Sequence, residues 1–179
     1  MIVSRNEGLP GMKTAFLFSC PGQEEMKSGR LVNGQTGKNL DRLLCFLHEQ
    51  RPDLFPETNR YAYRITNSSE QVHFKAHDGR TEPSEKEIAL PENLSRLKED
   101  LRGFELVITF GRCASFAAQR LSDDKTAPLP RFISCRHLSF LSLNSSIKTD
   151  VHGSPILRND PQATDKRLMV VAGQVLSQL

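Results

Sequence analysis

The chain has 179 residues, of which 37% are hydrophobic and 25% charged, with a formal net charge of +3 and a pI of about 8.7. That length fits one domain, 1–179, able to bury a sizeable core, and the mild positive charge permits a nucleic-acid partner without demanding one. No apolar run reaches the ~20 residues of a membrane helix, and the opening MIVSRNEGLPGMK lacks the apolar stretch of a secretory leader, so a monomeric cytoplasmic protein with no membrane contact is expected, starting at Met1 or Met12.

Residues 13–19, KTAFLFS, form a short apolar run ending at Pro21-Gly22 and read as a buried strand followed by a turn. The segment 24–31 is polar loop or a short helical turn. Leu40, Leu43, Leu44 and Leu47 recur at i, i+3, i+4 and i+7, which predicts a helix over 38–50 with one core-facing stripe. A second strand is expected at 60–66, RYAYRIT, followed by a long polar loop, 67–83. Leu94, Leu97 and Leu101 mark a helix over 91–102. ELVITF (105–110) is a buried strand, 113–121 a helix, 122–130 a loop, and RFISC (131–135) a fourth strand. A polar loop spans 144–162, and 163–178 closes the chain as a helix.

Strands alternating with helices predict a three-layer α/β/α sandwich around a mostly parallel central sheet of about four strands. Such sheets bind ligands at the carboxyl ends of their strands, which directs attention to 19–37, 67–83 and 136–146. Cys20, Cys45, Cys113 and Cys135 are scattered without a CxxC pair. Each reads as a small core residue rather than a disulfide or metal ligand. His73 and His77 have an i, i+4 spacing that a metal could use on a helix, but they lie in a loop-like stretch, and no metal or other cofactor is expected. Asp123-Asp124 and Lys166-Arg167 read as solvated surface.

Segment 18–44, FSCPGQEEMKSGRLVNGQTGKNLDRLL, is a strand, a Pro-Gly turn, a glycine-punctuated loop and a helix. Such a loop turns backbone amides toward a ligand. It is not a phosphate-binding P-loop: Gly29 and Gly34 have the spacing, but Gln35 stands where the lysine is needed. The segment resembles the family-4 uracil-DNA glycosylases, whose pattern runs GEAPG, a few acids, GRPFVG, a further glycine and a leucine-paired helix. Pro21-Gly22, Glu24-Glu25, Gly29-Arg30, Gly34, Gly37 and the leucine pair Leu43-Leu44 match it without a gap. Ile65-Thr66-Asn67 resembles the family's ITN or LTN at the end of the second strand. His137, Ser139, Leu141 and Ser142 match four of the six places in the superfamily's HPSPLS motif, with Leu138 and Phe140 where prolines would stand.

The resemblance implies a DNA glycosylase that flips a pyrimidine out of single- or double-stranded DNA and hydrolyses its N-glycosidic bond. His137 would stabilise the leaving base, with Ser19 and Cys20 in the catalytic set. Asn67 would read the base edge, one amide face donating and the other accepting. Pro21, Gly22 and Val32 would line the base pocket. Ser139 would hold a phosphate and Leu141 wedge into the duplex, with Arg136, Gly111, Arg112 and Lys38 as further DNA contacts. Read from the residues alone, Asn67 is equally a turn asparagine, His137 a strand-end histidine, and Leu138, Phe140 and Leu141 core residues.

Three departures matter. The family's glutamate is Ser19 and the following position, which can orient water as Asp or Asn, is Cys20. The base-stacking aromatic falls at Val32, which leaves room for a bulkier modified pyrimidine; uracil is the default base. The family's cluster-ligating cysteines are absent, so no iron–sulfur centre is expected. These departures keep two alternatives open: a superfamily relative that binds nucleic acid without cutting, and a small-molecule nucleotide or nucleoside enzyme.

Overall fold

Two apolar runs set the middle of the sheet. TAFLF forms β2 (Thr14–Phe18) and LVITF forms β4 (Leu106–Phe110), and all ten residues are buried. Alternate side chains go to opposite faces: Phe16, Phe18, Ile108 and Phe110 join one core, and Ala15, Leu17 and Val107 the other. A strand covered on both faces has no solvent side, which is why both read as unbroken apolar runs. The computed structural model describes residues 4–124 and 128–179, so the centre of the 122–130 loop lies outside the described residues.

Among the described residues the sheet has five strands in the order β1-β3-β2-β4-β5, where β1 is Arg5–Asn6, β3 is Arg64–Asn67 and β5 is Arg131–Cys135. β3, β2, β4 and β5 are parallel, and only β1 runs antiparallel, against β3. The chain is therefore a three-layer α/β/α sandwich with a mostly parallel sheet, with five strands where four were expected. The extra one is two polar residues long and exists only through pairing with β3.

Helices α2 (Gln35–Gln50) and α8 (Ala163–Leu176) cover one face. Leu40, Leu43, Leu44 and Leu47 of α2 meet Leu168, Val171, Ala172 and Val175 of α8 in that core. The other face is covered by α4 (Glu85–Ile88), α5 (Pro91–Asp100) and α6 (Arg112–Ser122) through Ile88, Leu97, Ala114, Ala117 and Leu121. Short helices α1 (Gln23–Ser28), α3 (Lys75–Asp78) and α7 (Phe140–Ser146) lie in the connections at the carboxyl ends of the strands.

The structure corrects several expectations. The first half of 60–66 is a 3-10 turn, Arg60–Ala62, because the Asn59 side chain accepts a hydrogen bond from the Tyr61 amide and curls the backbone. Cys113 and Cys135 are core residues, but Cys45 is exposed and Cys20 half-buried. Arg167 is buried and donates from Nε to the Ile147 carbonyl at 3.0 Å, while Lys166 pairs with Asp160. Of the motif's apolar residues only Leu138 is core; Phe140 and Leu141 are exposed. No described helix is long and apolar enough to cross a membrane.

Candidate functional site

The chain leaves β2 toward α2 on one face of the sheet, and leaves its neighbour β4 toward α6 on the other. Where adjacent strands send their connections to opposite faces, the strand ends part and a crevice opens. A cleft of about 750 Å³ lies there. It takes Ser19, Cys20 and Gly22 from beyond β2, Asn67 from β3, Gly111 and Arg112 from beyond β4, and Arg136, His137 and Ser139 from beyond β5. Val32 and Leu141 complete the set, so eleven of the thirteen residues singled out in the sequence meet at one place. The other two stand outside. Pro21 is buried behind the wall, its carbonyl accepting from the His73 amide at 3.1 Å. Lys38 is exposed on α2, where Asn39 and Leu40 take the inward positions of the same turn.

His137 is held in one tautomer. The Ser139 amide donates to its Nδ1 at 3.1 Å, so Nδ1 is an acceptor and the neutral ring carries its hydrogen on Nε2. Among the described residues Nε2 has no hydrogen-bond partner. Burial pushes the pKa of the imidazole down, against a weaker upward pull from Glu82. The ring therefore presents a neutral N–H donor, edge-on to Phe18 at 6.3 Å between centroids. Gly111 makes room for it: with φ of +89° it adopts a conformation that favours glycine, and a Cβ there would stand 3.3 Å from the His137 Cβ. Asn39, fully buried on α2, donates to the Leu138 carbonyl at 2.8 Å and fixes the next residue.

Asn67 ends β3 with its backbone committed and its side chain free. Its carbonyl accepts from Arg96 Nη2 at 2.8 Å, and Arg96 is anchored in turn on buried Asp100 at 2.8 Å. Among the described residues its side-chain amide has no partner, although the residue is only 3% exposed. The amide is open to the cleft, and a ligand that offers one donor and one acceptor suits it.

Beyond β2, the Ser19 carbonyl accepts from the Ser68 hydroxyl at 2.6 Å and the Ser69 amide at 3.1 Å. The Cys20 thiol, its pKa pushed up to about 11 by burial, stays protonated at neutral pH and is no general base. Glu25 pins the glycine-rich loop, accepting from the Gly22 amide at 3.1 Å and the Asn33 amide at 3.2 Å. Val32 sits in that loop with φ of +51°, an unfavourable conformation for a β-branched residue. Its carbonyl is packed so closely that a Cβ on Gly37 would lie 1.9 Å from it.

The cation set is divided. Arg112 is paired with Glu82 at 3.2 Å and Glu85 at 3.4 Å. Arg136 carries a buried Nε with no hydrogen-bond partner. The Ser139 hydroxyl caps α7 by accepting from the Ser142 amide at 3.3 Å, leaving its own hydrogen to donate. Leu141 projects from α7 with 82% of its surface exposed.

Sequence reasoning missed Phe18, Thr81, Glu82 and Glu25 as cleft residues, and read His73 only as a weak metal candidate. His73 lines the cleft with its side chain 2% exposed, Nδ1 2.5 Å from Asp78 and Nε2 3.5 Å from Glu87. His77 instead stacks on Phe74, so the two histidines do not converge, and no group of three potential metal ligands occurs among the described residues. No family model matches the chain, and no curated protein matches it.

Proposed function

We propose that this protein is a DNA N-glycosylase of the uracil-DNA glycosylase type, acting on a pyrimidine nucleotide flipped into the cleft. The observation that carries this reading is the state of His137: a neutral ring with Nδ1 occupied and its Nε2–H free in the cleft. A glycosidic bond breaks readily only if the charge left on the base is stabilised, and a fixed donor in a shielded site supplies that stabilisation without reorganising. The free Asn67 amide matches the N3–H and O4 edge of uracil, and Val32 leaves space beside the ring where an aromatic is lacking. Arg136 and the Ser139 hydroxyl can meet flanking phosphates, and exposed Leu141 can fill the gap left by the extruded base.

A second reading, binding without cleavage, is favoured by the Cys20 thiol, which cannot accept a proton from water at neutral pH. One experiment separates the two. Single- and double-stranded oligonucleotides carrying uracil or modified pyrimidines are incubated with the protein, then heated in alkali to cut at abasic sites. Strand cutting at the modified position is expected. Salt-sensitive DNA binding with no abasic product from any substrate would leave the binding reading standing and end the catalytic one.

A further inference from the structure

Hydrolysis in this cleft is speeded by a group that takes a proton from water, and position 20 does not supply it. Two carboxylates line the cleft, Glu25 and Glu82. Glu25 is consumed by the Gly22 and Asn33 amides. His137 offers no lone pair, since Nδ1 already accepts from Ser139. Glu82 remains.

Its position is set from both sides. The Thr81 carbonyl receives the Cys20 thiol at 3.8 Å, and the Pro83 carbonyl receives the Cys113 thiol at 3.8 Å. Residue 82 is thereby tied to the chain leaving β2 and to the first turn of α6. The segment before and after it is braced: His73 meets Asp78, Arg80 spans Asp78 and Glu87, and the Ser84 amide donates to Glu87 at 2.6 Å. The side chain of Glu82 is 45% exposed, and its cation partner is Arg112 at 3.2 Å. It lines the same cleft as Cys20 and His137.

We infer that Glu82 is the carboxylate that activates the hydrolytic water, occupying from the 67–83 loop the role that Cys20 cannot fill on the β2 loop. The inference rests on the glycosylase reading. The bond between C1′ and the base nitrogen breaks with its electron pair leaving on the base, where the His137 Nε2–H steadies the charge. The sugar becomes positive, and a carboxylate at the strand ends stabilises it. Water then bonds to C1′ through oxygen and gives its proton to Glu82, which returns it to solvent. The base anion takes a proton from solvent, and the products are free base and an abasic sugar with a hydroxyl on C1′. Arg112 orients the carboxylate.

The test compares Glu82→Gln, Glu82→Ala and Arg112→Gln with the wild type, measuring single-turnover base release, DNA affinity and thermal melts. Glu82→Gln is expected to slow base release by ~10²-fold or more, the usual effect of losing general-base help, with DNA affinity and melting temperature unchanged. Added formate is expected to restore part of the rate of Glu82→Ala and none of that of a His137→Ala control. Arg112→Gln, which keeps the carboxylate, is expected to lose less than tenfold. A Glu82→Gln rate equal to wild type overturns the assignment. So does a rate loss that formate leaves untouched and Arg112→Gln reproduces, because the ion pair alone then matters. A wild-type protein that releases no base from any substrate overturns the glycosylase reading itself.

Discussion

Two histidines line the same cleft and are held in opposite ways. His73, on the loop beyond β3, has both ring nitrogens facing carboxylates, Asp78 at 2.5 Å and Glu87 at 3.5 Å, and is almost wholly enclosed. His137, beyond β5, takes one backbone N–H and leaves the other nitrogen open. The first arrangement spends Nδ1 on bracing a loop and shuts Nε2 away from solvent without a hydrogen-bond partner. The second leaves a donor open to the cleft. Position in a cleft does not separate the two rings; an unpartnered nitrogen that a ligand can reach does.

The sharpest way to break this comparison is to remove each ring. His137→Ala is expected to slow base release by ~10²–10³-fold while leaving DNA affinity nearly intact, because its contact strengthens as the base departs. Equal rates for the variant and the wild type would place His137 with His73 as a structural residue. Gly111→Ala tests the same point from behind the ring. Its Cβ would press on His137 at 3.3 Å from a backbone with φ of +89° and ψ of 175°, so a stability loss of about 1–3 kcal/mol is expected, with slower base release. A melt unchanged from wild type would show that the turn tolerates the side chain.

The His73 clamp is open to acid. Asp78 is held down to about 2 chiefly by its hydrogen bond to His73, and Glu87 to about 2 chiefly by Ser84, then by Arg80. Both carboxyls have a depressed folded-state pKa, so their contribution is complete above their ordinary values and is lost as pH falls toward 2. Amide protection in 73–87, taken relative to the intrinsic exchange rate at each pH, is expected to hold at pH 5 and to fall between about pH 4.5 and 2, ahead of α2 and the sheet. Simultaneous loss of protection throughout would mean that the loop has no separate stability.

The smallest expected effect belongs to Leu141→Ala. With 82% of its surface exposed, Leu141 contributes little to the core, so the melting temperature should not move. Base release from duplex should fall more than from single strands, where there is little stacking to oppose. A clear drop in melting temperature, with equal losses on both substrates, would remove it as a wedge.

The sheet was legible where its strands were buried. TAFLF and LVITF carry their assignment in an unbroken apolar run, and the helices α2 and α5 in their leucine spacing. Arg5–Asn6 carries no such signal, since two polar residues become a strand only when β3 lies beside them. Helices α3 and α4, of four residues each, are too short for a period to show. In the cleft, the residues adjoining strand ends were found because motifs sit there. Glu82 was not, because tertiary ties through Cys20 and Cys113 bring it in from a stretch with no local pattern. Arg112 read as a free cation for the same reason: its acidic partners lie about thirty and twenty-seven positions earlier.

Val32 offers a handle of another kind. A valine at φ of +51° carries a conformational cost of roughly 1–3 kcal/mol that glycine or asparagine at the same place largely avoids. Val32 is also buried in the core, and losing its side chain costs about as much as the strain it relieves, so Val32→Gly should leave the melting temperature nearly unchanged. On the glycosylase reading Val32 lies beside the flipped base, so exchange at this position should shift substrate range at little thermal cost.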